Sequence, residues 1–367
     1  MAERAPDGPG AAPAADAGGA ANAGGPADAV GGPDAAREPG AESGPSAVGN
    51  PGAARGPGAA PGVQSETAGS MEPSSKFDRD TSVWREHGAQ RLRVGEQATF
   101  SAEVAPDWRA GRGPHGGYLA AMLLRALIAS VAASASAQRE PRDPRSLTIH
   151  YARPPEPGPV RITTTLERDG RSLSTLSARM HQGEELIALL LAAFSVPWTG
   201  PEISDVRLPD VDGPDASREG LKLIEHGPEF ARHIVLQPRM RGRPFATDAA
   251  SADGVQPMEI RAWMGLVEPR PIDALSLAFF SDALIPAPYM RMREWAAVPT
   301  IDLTVHFRAR MRSAPDADPR ELCLAQTTTE LVHDGFFVED GLIWAADGTL
   351  LAHSRQLAIV IPFRGNG

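Results

Sequence analysis

Two short segments, Leu147-Thr-Ile-His-Tyr151 and Leu303-Thr-Val-His-Phe307, carry nearly the same residues in the same order, 156 positions apart. Large apolar residues alternate with Thr and His in both, which marks each as a strand with one buried face. The same offset lays residues 116–130 (GGYLAAMLLRALIAS) over residues 272–286 (IDALSLAFFSDALIP). Both stretches are apolar nearly all round, which predicts a helix buried inside its domain. The offset also lays Glu103-Val104 over Glu259-Ile260, ahead of each helix. Three matches at one offset restrict the chain to a fold made from one unit used twice.

After the repeated strand, each half continues as strand-like runs broken by turn dipeptides. The first half has 159–168, Asp169-Gly170, 172–180, Gln182-Gly183 and 185–196; the second has 321–332, Asp334-Gly335, 337–345, Asp347-Gly348 and 350–361. Asp-Gly between alternating segments is a hairpin signal. Each unit is therefore a strand or two, one long apolar helix, then an antiparallel meander, with its sheet wrapped around the helix to cover it. The fold class is α+β. Residues 76–199 form the first unit, 200–228 a polar, Pro-containing linker, and 229–363 the second unit, in which 240–256 reads as a surface loop insertion.

Ahead of the units, residues 1–70 hold 21 Ala, 16 Gly and 10 Pro, with no Leu, Ile, Phe, Tyr or Trp. Such a segment buries too little apolar surface to offset the entropy of ordering it, so 1–75 is expected to be a disordered tail. Met71 opens the domain-like sequence and is a candidate start. The net charge is −10 and the tail carries half of it, with three Arg against eight acidic residues. No basic run is interleaved with aromatics, which argues against a nucleic-acid partner. The single cysteine, Cys323, excludes an intramolecular disulfide and a Cys-based metal site. No run of eighteen apolar residues points to a membrane span, and the chain is expected to be cytoplasmic. Sheets of this kind leave edges to cover, so assembly into homo-oligomers is expected.

Beyond the architecture, Gly113-Pro-His-Gly-Gly-Tyr118, SLTIHYARPP (146–155) and RDGRSLSTLS (168–177) resemble the acyl-CoA thioesterase II family. So do Ser281-Asp282, Thr300-Ile-Asp302 and His353-Ser-Arg-Gln356 in the second half. The resemblance implies a tandem double hotdog, two antiparallel sheets each wrapped around a long apolar helix. It further implies hydrolysis of fatty acyl-CoA to free acid and CoA, without metal or organic cofactor. The family's catalytic Asp, Thr and Gln fall on Asp282, Thr300 and Gln356.

The repeat supplies an argument of its own. At the 156 offset, Asp282 falls on Ala126 and Thr300 on Pro144; aligning Gly348 with Gly183 places Gln356 on Leu191. Three polar positions of the second half are inert in the first, so one site per chain is expected. Asp282 is the one acid between Ala274 and Tyr289, on a helix expected to be buried. Its carboxylate needs partners or a wet pocket; the bland alternative is a helix-end carboxylate reaching solvent, since Pro286 soon ends the helix. Thioester hydrolysis needs a positioned water, a group to take its proton and donors for the oxyanion. Asp282 suits the second role, and Thr300 and Gln356 suit the first, although either is also an ordinary strand-end residue. The donors are placed at the backbone amides of Gly116, Gly117 and Tyr118, where a helix start favours negative charge. Phe279 and Phe280 are expected to line an apolar tunnel for the acyl chain.

Other signals weigh less. Gly111-x-Gly113-x-x-Gly116 matches a dinucleotide pattern, but the strand ahead of it alternates and Pro114 sits in the turn. His115 suits a structural loop position as well as a base. His150 and His306 share one strand position and read as structural, and His181, His333 and His353 lack metal-ligand spacing with acids. Two alternatives stand beside hydrolysis: a hydratase or dehydratase of acyl thioesters, and a non-catalytic acyl-binding module.

Overall fold

The computed structural model describes residues 75–217, 227–245, 250–251, 254–309 and 317–363. These lie in one compact unit, Thr67–Gly367. The expected tail falls outside the described residues except for Ser75, which caps helix α1 (Lys76–Asp80). Parts of the 240–256 insertion and of the linker lie outside them as well.

In the first half, strands β1 (Val83–His87) and β2 (Gln97–Val104) precede helix α2 (Gly116–Ala132). Strands β3 (Asp143–Tyr151), β4 (Gly158–Asp169), β5 (Leu173–Gln182) and β6 (Glu185–Ser195) follow. The second half supplies β7 (Ile234–Pro238), β8 (Glu259–Leu266), helix α3 (Ala274–Phe280), β9 (Thr300–Phe307), β10 (Cys323–Thr328), β11 (Phe336–Trp344) and β12 (Leu350–Ile359). Burial alternates along β2, β4 and β5, so one face of each packs on the core. Helix α2 is buried without a break from Gly117 to Leu124, as its unrelieved apolar sequence requires.

The strands form one antiparallel sheet in the order β1-β2-β4-β5-β6-β3-β9-β12-β11-β10-β8-β7. Read outward from its centre, each half repeats the other. At the centre the two copies of the repeated strand pair with one another, Thr148 opposite Thr304 and Leu147 opposite Val305. The two threonine hydroxyls lie 3.0 Å apart. A residue facing its own copy defines a pseudo-twofold axis. The expectation of two separate sheets is therefore corrected: pairing of β3 with β9 fuses them into one. Each of these strands slips register by one residue near its start, between Pro144 and Ser146 and between Thr300 and Asp302.

The halves differ ahead of their helices. Ladder registers put Thr99 of β2 in the place that Arg261 holds in β8, an offset of 162 and not 156. The match of Glu103-Val104 with Glu259-Ile260 is thus not a structural equivalence. The connection into α2 is the longer one, and it contains a turn of 3-10 helix at Pro106–Trp108 and a small ladder between Arg109–Ala110 and Gly113–Pro114. The second helix is also shorter than the 272–286 expected. Asp273 caps it with a capping box, but after Phe280 the Ser281 hydroxyl bonds back to the Leu277 carbonyl. The chain then turns in two tight steps, with the amides of Asp282 and Ala283 donating to the carbonyls of Phe279 and Phe280.

A shared core joins the halves, including Leu123 and Leu127 of α2, Leu277 and Phe279 of α3, and Leu147 and Leu303 of the central strands. On α1, Asp78 accepts from Arg125 of α2 at 2.8 Å and from Arg270, ahead of α3, at 2.9 Å. The linker has a covering role. Leu208 and Val211 pack on Trp263, Leu324 and Trp344, and Asp212 accepts from the Trp263 indole.

Where α2 crosses α3, Gly117 is required. A Cβ there would stand 2.5 Å from the Phe279 carbonyl oxygen and 2.9 Å from the Phe279 Cα, both backbone atoms. Gly117→Ala is therefore expected to cost roughly 1–3 kcal/mol of stability. Thermal melting would show it as a lower Tm, and an unchanged Tm would contradict this packing.

Candidate active site

The turn after α3 delivers Asp282 to the start of α2, in the other half of the chain. Its Oδ2 accepts the Gly117 amide at 2.9 Å, and its side chain is 11% exposed. The positive end of the 17-residue α2 offsets the cost of holding a carboxylate there. His115 caps the same helix. Its Nδ1 accepts the Tyr118 amide at 3.3 Å, which leaves Nε2 to carry the proton and donate to the Asp282 carbonyl at 2.8 Å. Burial pushes this imidazole below its ordinary pKa, so it remains neutral. His115 thus holds the backbone of Asp282 in place, closer to the structural reading than to a base.

Strands β9 and β12 bring the other two expected groups. The register slip at the head of β9 turns Thr300 towards Asp282, with its hydroxyl 3.3 Å from Oδ1. The same hydroxyl lies 3.2 Å from Oε1 of Gln356. One hydroxyl has a single proton for two acceptors, so Thr300 links the carboxylate and the amide into one polar cluster. Asp282, Thr300 and Gln356, spread over 75 positions of sequence, meet at one place.

Two further groups belong to this cluster and were not singled out from the sequence. Glu339 on β11 is 3% exposed; its Oε1 accepts from the Gln356 amide at 2.9 Å and its Oε2 from the Ala287 amide at 2.7 Å. Burial pushes its carboxyl up to about 7, against the pull of those two donors. Tyr151, at the end of β3, has a buried hydroxyl with no hydrogen-bond partner among the described residues. Burial, and then the charge of Asp282, raise it well above the usual phenol range, so it remains a donor.

The registers correct one equivalence. Gln356 faces Leu303 as Ala192 faces Leu147, so its counterpart is Ala192 and not Leu191. A shift of one residue exchanges the two faces of a strand, and Leu191 is 53% exposed while Ala192 is buried. Through the same ladders Glu339 corresponds to Leu176, and at the 156 offset Tyr151 corresponds to Phe307. Each member of the cluster thus has an apolar or inert counterpart in the other half.

Two expectations need correction. The amides of Gly117 and Tyr118 are already engaged by Asp282 and His115, so they secure the site and are not open donors. Phe279 faces no open space among the described residues: its ring is wholly buried among Phe77, Trp108, His115, Phe230 and Phe280. Phe280, 3% exposed, packs beside it.

Residues 104–195 match the family model for the acyl-CoA thioesterase N-terminal domain, and residues 205–360 match that for the acyl-CoA thioesterase C-terminal domain. The chain belongs to the acyl-CoA thioesterase family. Among relatives of this thioesterase is an uncharacterized protein of Mycobacterium tuberculosis, 27% identical over 278 residues, which cover 71% of this chain and 90% of that protein. A hot dog fold protein of unknown function from Alicyclobacillus acidocaldarius superposes with a TM-score of 0.63 at 23% identity, covering 78% of this chain and 98% of the other. An acyl-CoA thioesterase II from Mycobacterium marinum gives 0.56 at 18% identity, covering 79% and 99%. At these identities the structures show a shared hotdog fold. Among the described residues, no helix of this thioesterase is long and apolar enough to cross a membrane.

Gly116 tests whether the cluster is the working site. A Cβ there would stand 2.8 Å from Asp282 Oδ2 and 3.0 Å from the Tyr151 hydroxyl, both side-chain atoms that can give way. Gly116→Ala is expected to lower thioesterase turnover at least about tenfold by displacing the carboxylate, while Tm changes little. Full turnover would place the working carboxylate elsewhere.

Proposed function

We propose that this chain hydrolyses acyl-CoA to free acid and CoA at a single site built by both halves of a tandem double hotdog. The meeting of Asp282, Thr300 and Gln356 at the start of α2 carries this reading. A water beside them gives one proton to the Asp282 carboxylate as its oxygen attacks the thioester carbonyl carbon. The amide oxygen of Gln356 accepts the second proton's hydrogen bond, and the Thr300 hydroxyl keeps these two acceptors in line.

As the tetrahedral intermediate forms, negative charge gathers on the former carbonyl oxygen. The start of α2 favours that charge, and the Tyr151 hydroxyl is a donor with no competing partner among the described residues. When the intermediate collapses, the carbon–sulfur bond breaks and the proton held by Asp282 passes to the sulfur. CoA leaves as the thiol, the acid is freed, and the carboxylate returns to its starting state.

Release of CoA thiol from a panel of acyl-CoAs tests this reading. The wild type is expected to turn over members of the panel, and Asp282→Asn to reduce kcat by at least about a hundredfold. An active wild type matched by the variant would refute the site. Binding without turnover by the wild type would favour an acyl-binding module.

A further inference from the structure

Glu339 has a cost that packing does not explain. The equivalent place in the first half is held by Leu176, fully buried on the same sheet face. A leucine there serves the core, whereas a carboxylate must be desolvated and supplied with donors. The second half therefore retains a charged group where an apolar one would be cheaper, and that group touches Gln356 directly.

Its contacts show what the charge does. A carboxylate has no proton to give, so it can face only the NH2 end of the Gln356 amide. With Nε2 bound to Glu339 at 2.9 Å, Oε1 is turned towards Thr300 at 3.2 Å. The Ala287 amide fixes the other carboxylate oxygen at 2.7 Å, so Glu339 is anchored from the 3-10 helix Ala287–Met290, which follows the turn carrying Asp282. In the reverse orientation the amide would offer N–H donors to the water, drawing on the lone pair needed for attack.

We propose that Glu339 is a positioning residue, which fixes the Gln356 amide with its oxygen towards the attacking water. This rests on the thioesterase reading and deepens it. The groups facing Glu339 are Gln356 from β12, the Ala287 amide and the Asp282 charge from beyond α3, and Asp340 beside it on its own strand. Asp340 is paired with Arg355 at 2.6 Å. With its pKa raised to about 7, Glu339 is neutral below that pH and ionised above it. A neutral acid can donate to the amide oxygen and release the orientation, so kcat should climb as pH rises through about 7.

The experiment measures kcat and KM from about pH 5 to about pH 9 for wild type, Glu339→Gln, Gln356→Ala and the double variant. Glu339→Gln keeps the shape but can donate to the amide oxygen. Its kcat is expected to fall at least about tenfold with little change in KM, and the rise near pH 7 should vanish. Added to Gln356→Ala, it should cause no further loss, because it acts through that residue. Glu339→Leu, which copies the first half, is the second variant should the glutamine fail to fold. An active wild type with an unchanged variant, or losses that multiply in the double variant, would overturn the proposal alone. A wild type without turnover would overturn the thioesterase reading and this proposal together.

Discussion

The site depends on one contact, the Asp282 carboxylate of the second half accepting the Gly117 amide at the head of the first half's helix. A largely buried carboxylate is costly unless charge or donors face it. Here the facing group is a helix start, with its amides directed outwards and its dipole positive. Several local features follow. Gly117 lacks a side chain so that α2 can approach the Phe279 backbone, and Gly116 lacks one so that Asp282 and Tyr151 can come near. His115 caps the helix with one ring nitrogen and holds the Asp282 carbonyl with the other. The two halves each supply what the other lacks.

The pseudo-twofold at Thr148 and Thr304 explains why such a site arises at the junction of the units. A symmetric pair of units offers two equivalent places. In one of them Asp282, Thr300, Gln356, Glu339 and Tyr151 gather; in the other their counterparts are Ala126, Pro144, Ala192, Leu176 and Phe307. The inert place also gives packing, since Ala126, Ala192 and Leu176 are buried in the core. The first half thus supplies the helix start and Tyr151, and the second supplies Asp282, Thr300, Gln356 and Glu339.

Much of this was legible in the sequence because a duplicated chain contains its own comparison. The repeated strand marked the duplication, and the long apolar stretch marked α2. Asp282, Thr300 and Gln356 stood out as polar residues whose copies are not. Other features were hidden by ladder geometry. Glu339 lies in FFVEDGLIW, where alternation alone does not say which face is inward; the structure buries Glu339 and exposes Phe336 and Val338. Only the register against Gln356 reveals it, and the same register separates Ala192 from Leu191. The apolar pattern overstates the length of α3 because it continues into a turn that Ser281 closes by bonding back to the helix. The burial of the Phe279 ring was hidden because its aromatic neighbours come from α1, from the connection before α2 and from the segment before β7, none near it in sequence.

The claim at the centre of this account is that a chain with two equivalent units has one working site. Calorimetric titration of the full chain with a non-hydrolysable alkyl-CoA thioether measures that number directly. The account predicts one analogue bound per chain, with binding retained in Asp282→Asn, which keeps the shape of the side chain. Two equivalent molecules bound per chain would contradict it.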